Sequence, residues 1–579
     1  MLAPRTRTSL YDLVRPPQGW RFDALVVCTY SADLRSVLAL PAALLSDRAG
    51  GDLHPGTVTP AQIAALRRVC DRTVIFCQDT ALLGTDQLPP VVIELEPLVN
   101  AVRLQGDGAF HPKVWLVRFR DDRDRTVLRL AVMSRNLTAD RSWDAGVVLD
   151  STTRRAGRDD GLTDLLSALP DLSRTPLRPA QAELLAGLTE DARAARWTPP
   201  KGLTRPELRL IREAETWEPP RNDRLVVFSP FLTKTALRRL QCTTRQGVGL
   251  VSRADALDRC WGEAVTGFER QLVLDPPPDV EDAPSGQLHA KIYAWDRGDR
   301  SGLAIGSMNA TTAALSGRNL EFMAVFDATA ALPEGAASIL TTLAPVLVDH
   351  SPSEEDDVKE ADTDDRPARR ALSALDLRLL CEPEEDGWRL VLTAPSPLSA
   401  GARTALTGLT FRPATLPADQ ASDCFEDLID EQRSVFPLRL DLGQITGFVV
   451  FQSPTIAPFT LRLEVEGVAE EERRKAALRA LIPDQRSFLE FVRALLGDDA
   501  ALNSLLNPGG SAAADWSAVG GGFGGGLLEL LIGAAAEGSD RLDTLVEAVE
   551  GFGAEEFQRL APPAFRKLWA AVLSTRRSA

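Results

Sequence analysis

One succession of sequence elements occurs twice within the first 330 residues, and this duplication restricts the fold more tightly than any other feature of the chain. The apolar run Ala24–Tyr30 precedes a helical stretch that begins near Ala32, and Leu225–Pro230 precedes one at Lys234–Leu240. Thr73–Cys77 and Val248–Ser252 follow as second strands. A third pair (His111–Phe119, His289–Asp296), a fourth (Leu128–Met133, Gly302–Ile305) and a fifth (Asp144–Leu149, Glu321–Phe326) complete the series. Apolar runs this short, alternating with helical stretches, form layers of helix on sheet. The pattern predicts an α/β protein with two duplicated lobes, mixed β-sheets flanked by helices, related by a pseudo-twofold. Equivalent strand ends then meet at the seam, where clefts hold ligands.

The third and fourth elements carry the chemistry. The chain has only four histidines and seven lysines, yet His-x-Lys occurs twice, as His111–Lys113 and His289–Lys291. Each is followed by a strand-like run and then Ser-x-Asn, at Ser134–Asn136 and Ser307–Asn309. A neutral imidazole can attack phosphorus, while an ammonium and an amide can hold phosphate oxygens. Two such sets facing each other make a phosphodiesterase site that needs no metal. The remaining histidines, His54 and His350, read as structural residues. Trp115, Trp143 and Trp295 beside the motifs offer either base stacking or plain packing.

His-x-Lys with Gly/Ser-x-Asn in duplicate resembles the phospholipase D superfamily. His289, Lys291 and Asp296 fit HxK(x)4D, and Gly306–Asn309 fits GSxN. The first copy departs: Arg118 stands in the aspartate position, and Met133–Asn136 replaces GSxN. Its run Ser134–Asp140, with Trp143 after it, looks more like the nuclease and tyrosyl-DNA phosphodiesterase branch. The resemblance spans roughly residues 20–330. It implies a catalytic set of His111, Lys113, Asn136, Asp144, His289, Lys291, Asp296, Ser307, Asn309 and Glu321. His111 is the implied nucleophile and His289 the acid/base. Asp144 and Glu321 stand where a carboxylate orients a histidine through Nδ1. No cofactor and no metal is implied, and no metal-ligand spacing is visible.

At 579 residues the chain is too long for one core. The sequence divides into a first lobe (1–160), a helical connection (161–220), a second lobe (221–350), an acidic linker (351–370), a β-sandwich-like domain (371–470) and a helical region (471–579). The β reading rests on apolar runs at 377–380, 388–392, 436–440, 445–451 and 459–463, punctuated by Pro and Gly. Gly520–Gly526 lacks the Lys and Ser of a P-loop and reads as a connector. Seven scattered cysteines with no CxxC pair read as reduced, mostly buried thiols. Met1–Arg5 lacks the apolar core of a signal peptide and no run of eighteen apolar residues occurs, so a cytoplasmic protein away from membranes is expected. The net charge of −16 argues against a nucleic-acid-coated protein, although Arg118–Arg129 or Arg238, Arg239 and Arg245 offer a local basic groove. The expected function is a nuclease acting on DNA, resembling effectors of bacterial restriction and phage defence that work beside a helicase or other ATPase, with a homodimer as an option. A phospholipid hydrolase or transphosphatidylase and a non-catalytic phosphate-recognising scaffold are the competing readings.

Overall fold

The computed structural model describes residues 9–45, 60–140, 142–154, 160–204, 206–213, 215–275, 287–352, 365–395, 397, 400–454, 456–496, 527–536 and 540–578. The acidic residues 353–364, Gly520–Gly526 and His54 lie outside them. The first lobe is a seven-stranded sheet of β1 (Arg21–Thr29), β2 (Thr73–Gln78), β3 (Val99–Val102), β4 (Val114–Arg120), β5 (Thr126–Met133), β6 (Gly146–Arg154) and β7 (Ala195–Thr198), in the order β3-β2-β1-β4-β5-β6-β7. The second is an eight-stranded sheet of β8 (Glu207–Ile211), β9 (Asn222–Phe228), β10 (Thr244–Val251), β11 (Gln271–Leu274), β12 (Ile292–Arg297), β13 (Arg300–Gly306), β14 (Glu321–Asp327) and β15 (Leu347–Asp349), in the order β8-β14-β13-β12-β9-β10-β11-β15. Three parallel strands followed by an antiparallel β4-β5-β6 or β12-β13-β14 run make the same sheet twice.

Residues on the two faces of each strand have different destinations. Ala24, Val26 and Cys28 of β1 share one core with Val226 and Phe228 of β9, Ile292 of β12 and Phe322 of β14, so the sheets pack against each other across the pseudo-twofold. Leu25 and Val27 face the other way, onto helices Leu34–Leu45 and Pro60–Cys70 and the C-terminal helices carrying Phe488, Phe491 and Trp569. Leu225 and Val227 face helices Lys234–Gln241 and Ala254–Cys260. With both faces buried, the strands read as continuous apolar runs rather than alternating ones.

The connection between the lobes carries strands as well as the helices Gly161–Leu172 and Pro179–Ala194. β7 extends the first sheet along β6, and β8, with Leu208 and Leu210 turned inward, opens the second beside β14. Beyond the lobes, a four-stranded and a six-stranded sheet form the β-rich part, and the latter incorporates Ala32–Asp33 and Leu82–Leu83 of the first lobe. Residues 436–440 are not a strand: Pro437 interrupts the run, leaving only a bridge from Leu440 to Trp388. Helices Glu470–Leu481 and Gln485–Leu495 begin the C-terminal helical region. The buried Arg473–Glu96 pair, at 2.8 and 2.9 Å, ties that region to the first lobe. Among the described residues no helix is long and apolar enough to cross a membrane.

Candidate active site

The two His-x-Lys segments do not begin their strands. Each lies just before one and pairs with the opposite lobe: Phe110 bridges Leu320, and Leu288 bridges Trp143. His111 N–H donates to Leu320 O (2.9 Å), and His289 N–H to Trp143 O (2.9 Å). These exchanged contacts put each histidine beside a carboxylate of the other lobe, Glu321 at the start of β14 or Asp144 just before β6. His111 Nδ1 lies 2.7 Å from Glu321 Oε2, and His289 Nδ1 lies 2.8 Å from Asp144 Oδ1. The orienting carboxylates are therefore crossed between lobes, a relation that sequence proximity does not reveal.

Everything around the pairs is duplicated too. Lys113 Nζ donates to His111 O at 2.9 Å and Lys291 Nζ to His289 O at 2.6 Å, and both lysines are buried. Ser134 Oγ donates to Asp144 Oδ1 (2.6 Å) and accepts from Ala145 N–H, while Ser307 Oγ donates to Glu321 Oε2 and accepts from Phe322 N–H. Asn136 and Asn309 each hold a buried side-chain oxygen with no hydrogen-bond partner. An amide's oxygen and nitrogen exchange places by rotation about χ2, and donors at these two positions suit phosphate oxygens.

Burial sets the ionisation. It pushes His111 down to about 4, against the opposing charge of Glu321 and helped by Lys113 and Lys291, so the ring is neutral at pH 7. His289 is lowered as well, by burial and Lys291, with Asp144 acting the other way. Lys113 lies well below the usual lysine range through burial and the Lys291 charge, and burial lowers Lys291 to about 8. Burial would raise Asp144, but its His289 hydrogen bond and the nearby His289 and Lys291 charges hold it low.

Asp296 is not brought to the site. It is the penultimate residue of β12, five residues or about 16 Å beyond Lys291. There it accepts from Ser301 Oγ (2.8 Å) and Ala336 N–H (2.8 Å) and lies 3.8 Å from Arg224 on β9. In the first lobe the same place holds Arg118, paired with Asp23 of β1 and, at 2.8 Å, with Asp191. The two lobes carry the same charge pair with its signs exchanged. The Gly306-to-Met133 departure is another exchange. Met133 pairs with Gly146, and Gly306 pairs with Met323, so each lobe has one glycine and one methionine at this crossing. A Cβ on Gly306 would sit 2.2 Å from Phe322 O and 2.7 Å from Met323 Sδ. Both first-copy departures are thus compensated within their own sheet.

Several site neighbours escape the motifs. Tyr30 lies over His111 with ring centroids 5.3 Å apart, and Asn319 Nδ2 donates to Glu321 Oε1 at 3.1 Å. Arg135 NH1 donates to Asp144 Oδ2 at 3.2 Å. Arg135 stood inside the Ser-x-Asn motif and Asn319 two residues before Glu321, so position was their only signal. The tryptophans pack: Trp115 is fully buried, Trp143 stacks on Phe228 and Trp295 lies against Trp217. Within the expected basic clusters Arg120 is paired to Asp23, Arg129 to Asp150, Arg239 to Glu218 and Arg245 to Asp223. His350 is bonded to Asp258 at 2.7 Å, far along the sheet edge at β15. Six cysteines are buried thiols and Cys242 is exposed.

No family model and no curated protein sequence matches the chain. Solved structures do align loosely. Yeast tyrosyl-DNA phosphodiesterase is 9% identical over 55% of this chain and 87% of its own, with a TM-score of 0.34. Phosphatidylserine synthase of Haemophilus influenzae Rd KW20 is 10% identical over 63% and 89%, at 0.31. Polyphosphate kinase of Porphyromonas gingivalis is 12% identical over 55% and 41%, at 0.29. Alignments this loose carry no weight alone. What the structure shows by itself is two duplicated lobes whose His-x-Lys and Ser-x-Asn sets meet across one seam.

Proposed function

We propose that the chain is a metal-independent phosphodiesterase of phospholipase D type that cleaves nucleic acid, DNA foremost, through a phosphohistidine. The observation that carries this reading is the crossed pair of carboxylate-held histidines with two buried lysines between them. Glu321 accepts a hydrogen bond from the Nδ1–H of His111, which leaves the Nε2 lone pair free to attack phosphorus. As the P–N bond forms and the P–O bond breaks, His289 passes its proton to the departing oxygen. The negative charge of a bound phosphodiester raises His289 toward the protonated form this step needs. Lys113, Lys291 and the amides of Asn136 and Asn309 stabilise the charge on the non-bridging oxygens. Neutral His289 then takes a proton from water, hydroxide attacks phosphorus, the P–N bond breaks and His111 is regenerated.

The nucleic-acid preference draws on the Ser134–Asp140 run. Large β-rich and helical parts attached to the lobes support an extension to bacterial restriction or phage defence beside a helicase or other ATPase. The deciding assay incubates the protein with single-stranded DNA, duplex DNA, RNA and phosphatidylcholine vesicles in excess EDTA. Cleavage of DNA under chelation is the expected result. Release of choline with no strand cleavage would assign the site to phospholipid instead, and activity restored only by Mg²⁺ would overturn the mechanism.

A further inference from the structure

Phe231 is the only aromatic among the large apolar side chains that stand exposed within the described residues, at 42%; Leu83, Val348, Val435, Leu438 and Ile532 are aliphatic. It sits just beyond the C-terminal end of β9, on the rim where loops of parallel strands gather ligands. Ser229 fixes it beside the site: its hydroxyl donates to Phe231 O (2.7 Å) and accepts from Ala310 N–H (2.9 Å), the residue after Asn309. Leu232 bridges Ala310, and Thr233 N–H donates to Ala310 O at 3.1 Å. From the end of β10 the Arg253 guanidinium covers the ring at 5.5 Å, itself bonded to Asp255 at 3.2 Å. The first lobe makes the same hydroxyl clasp with Thr29, Ser31 and Leu137, but puts Ser31 in the place of Phe231. The aromatic is an addition to one lobe, and the clasp does not require it.

From this placement we propose that Phe231, backed by Arg253, is a stacking platform for an unpaired nucleobase next to the scissile phosphate. This rests on the nucleic-acid reading above and sharpens it to strands that present an unstacked base. An aromatic face accepts any base, and a guanidinium beside it adds attraction to the ring and to neighbouring phosphates without selecting sequence. Duplex DNA, whose bases are already stacked, gains nothing from such a surface.

The test has two arms. In the first, the unaltered protein is given oligothymidylate in EDTA. In the second, fluorescence anisotropy in the His111→Ala background compares oligothymidylate with an abasic deoxyribose-phosphate oligomer of equal length, for Phe231 and for its Ala and Trp replacements. The expected result is cleavage in the first arm and about tenfold tighter binding of oligothymidylate than of the abasic strand in the second. Phe231→Ala loses that preference and Phe231→Trp keeps it, with melting temperatures showing that each variant is folded. Cleavage with a base preference indifferent to Phe231→Ala overturns the platform and leaves the nuclease reading standing. No cleavage of any oligonucleotide overturns both.

Discussion

Replacing Asp144 by Asn disables the histidine of the opposite lobe, and the chemistry of that loss is specific. Asp144 Oδ1 is 2.8 Å from His289 Nδ1 and its side chain is only 11% exposed, so the contact is a charge-assisted hydrogen bond at a largely dry position. Such bonds contribute about 1.5–3 kcal/mol, or roughly 10- to 150-fold in rate. If the new amide turns its N–H toward Nδ1, the wrong tautomer is imposed and the loss approaches about four orders of magnitude, as in serine protease triads. His289 protonates the leaving oxygen, so the defect in the first, bond-breaking step falls on esters with alkoxide leaving groups and largely spares the burst of p-nitrophenolate from a nucleoside p-nitrophenyl ester. Asp144 also raises His289. Its removal therefore moves the alkaline limb of the pH–rate profile, where the acid loses its proton, to lower pH. Glu321→Gln acts through His111 and slows both substrates alike. Pre-steady-state burst rates for the four combinations decide the matter, because the second step needs His289 whichever ester is used. Equal losses on both esters in Asp144→Asn, or leaving-group selectivity in Glu321→Gln, would refute the crossed arrangement.

Other outcomes follow from the same geometry. Lys291→Met lowers kcat by about a hundredfold or more yet stabilises the fold, because burial takes Lys291 from 10.5 to about 8, a conformational cost of about 3 kcal/mol at pH 7; a fall in melting temperature by calorimetry would contradict this. His111 titrates at about 4 when folded against 6.5 in a free chain, so its contribution is complete above pH 6.5 and is lost as pH falls through 4. The loss totals about 3 kcal/mol, and urea unfolding of His111→Ala at pH 7 and pH 4.5 shows a correspondingly smaller pH dependence than the unaltered protein. Asp296→Ala strands the Ala336 N–H and costs about 1–3 kcal/mol of stability, while kcat at 25 °C stays within tenfold; a loss matching that of Lys291→Met would return Asp296 to the catalytic set.

Much of this was legible before the structure. Scarce histidines and lysines, repeated at one spacing, identified both sets, and the order of apolar runs identified the lobes. Legibility failed where pairing is long-range. His111 meets Glu321 across 210 residues and His289 meets Asp144 across 145, and no local pattern records which carboxylate serves which ring. The Arg118 and Met133 departures were visible in the sequence but not their compensation, because the partners Asp23 and Gly146 lie on neighbouring strands. Asp296 matched the motif in sequence but sits at the wrong end of a strand to reach phosphate. Within the β-rich part, Ala32–Asp33 and Leu82–Leu83 joined a sheet some 370 residues downstream, which strand propensity cannot foresee.

The central claim is that one histidine bonds covalently to phosphorus while the other serves the leaving group and water. Mass spectrometry of rapidly quenched protein tests it most directly. His289→Ala, supplied with a thymidine p-nitrophenyl phosphodiester in EDTA, should accumulate an acid-labile, base-stable nucleotidyl adduct on His111, because the leaving group needs no acid and water is no longer activated. His111→Ala should accumulate none. An adduct on His289 would reverse the roles, and turnover with no adduct in either variant would contradict the account in favour of direct attack by water.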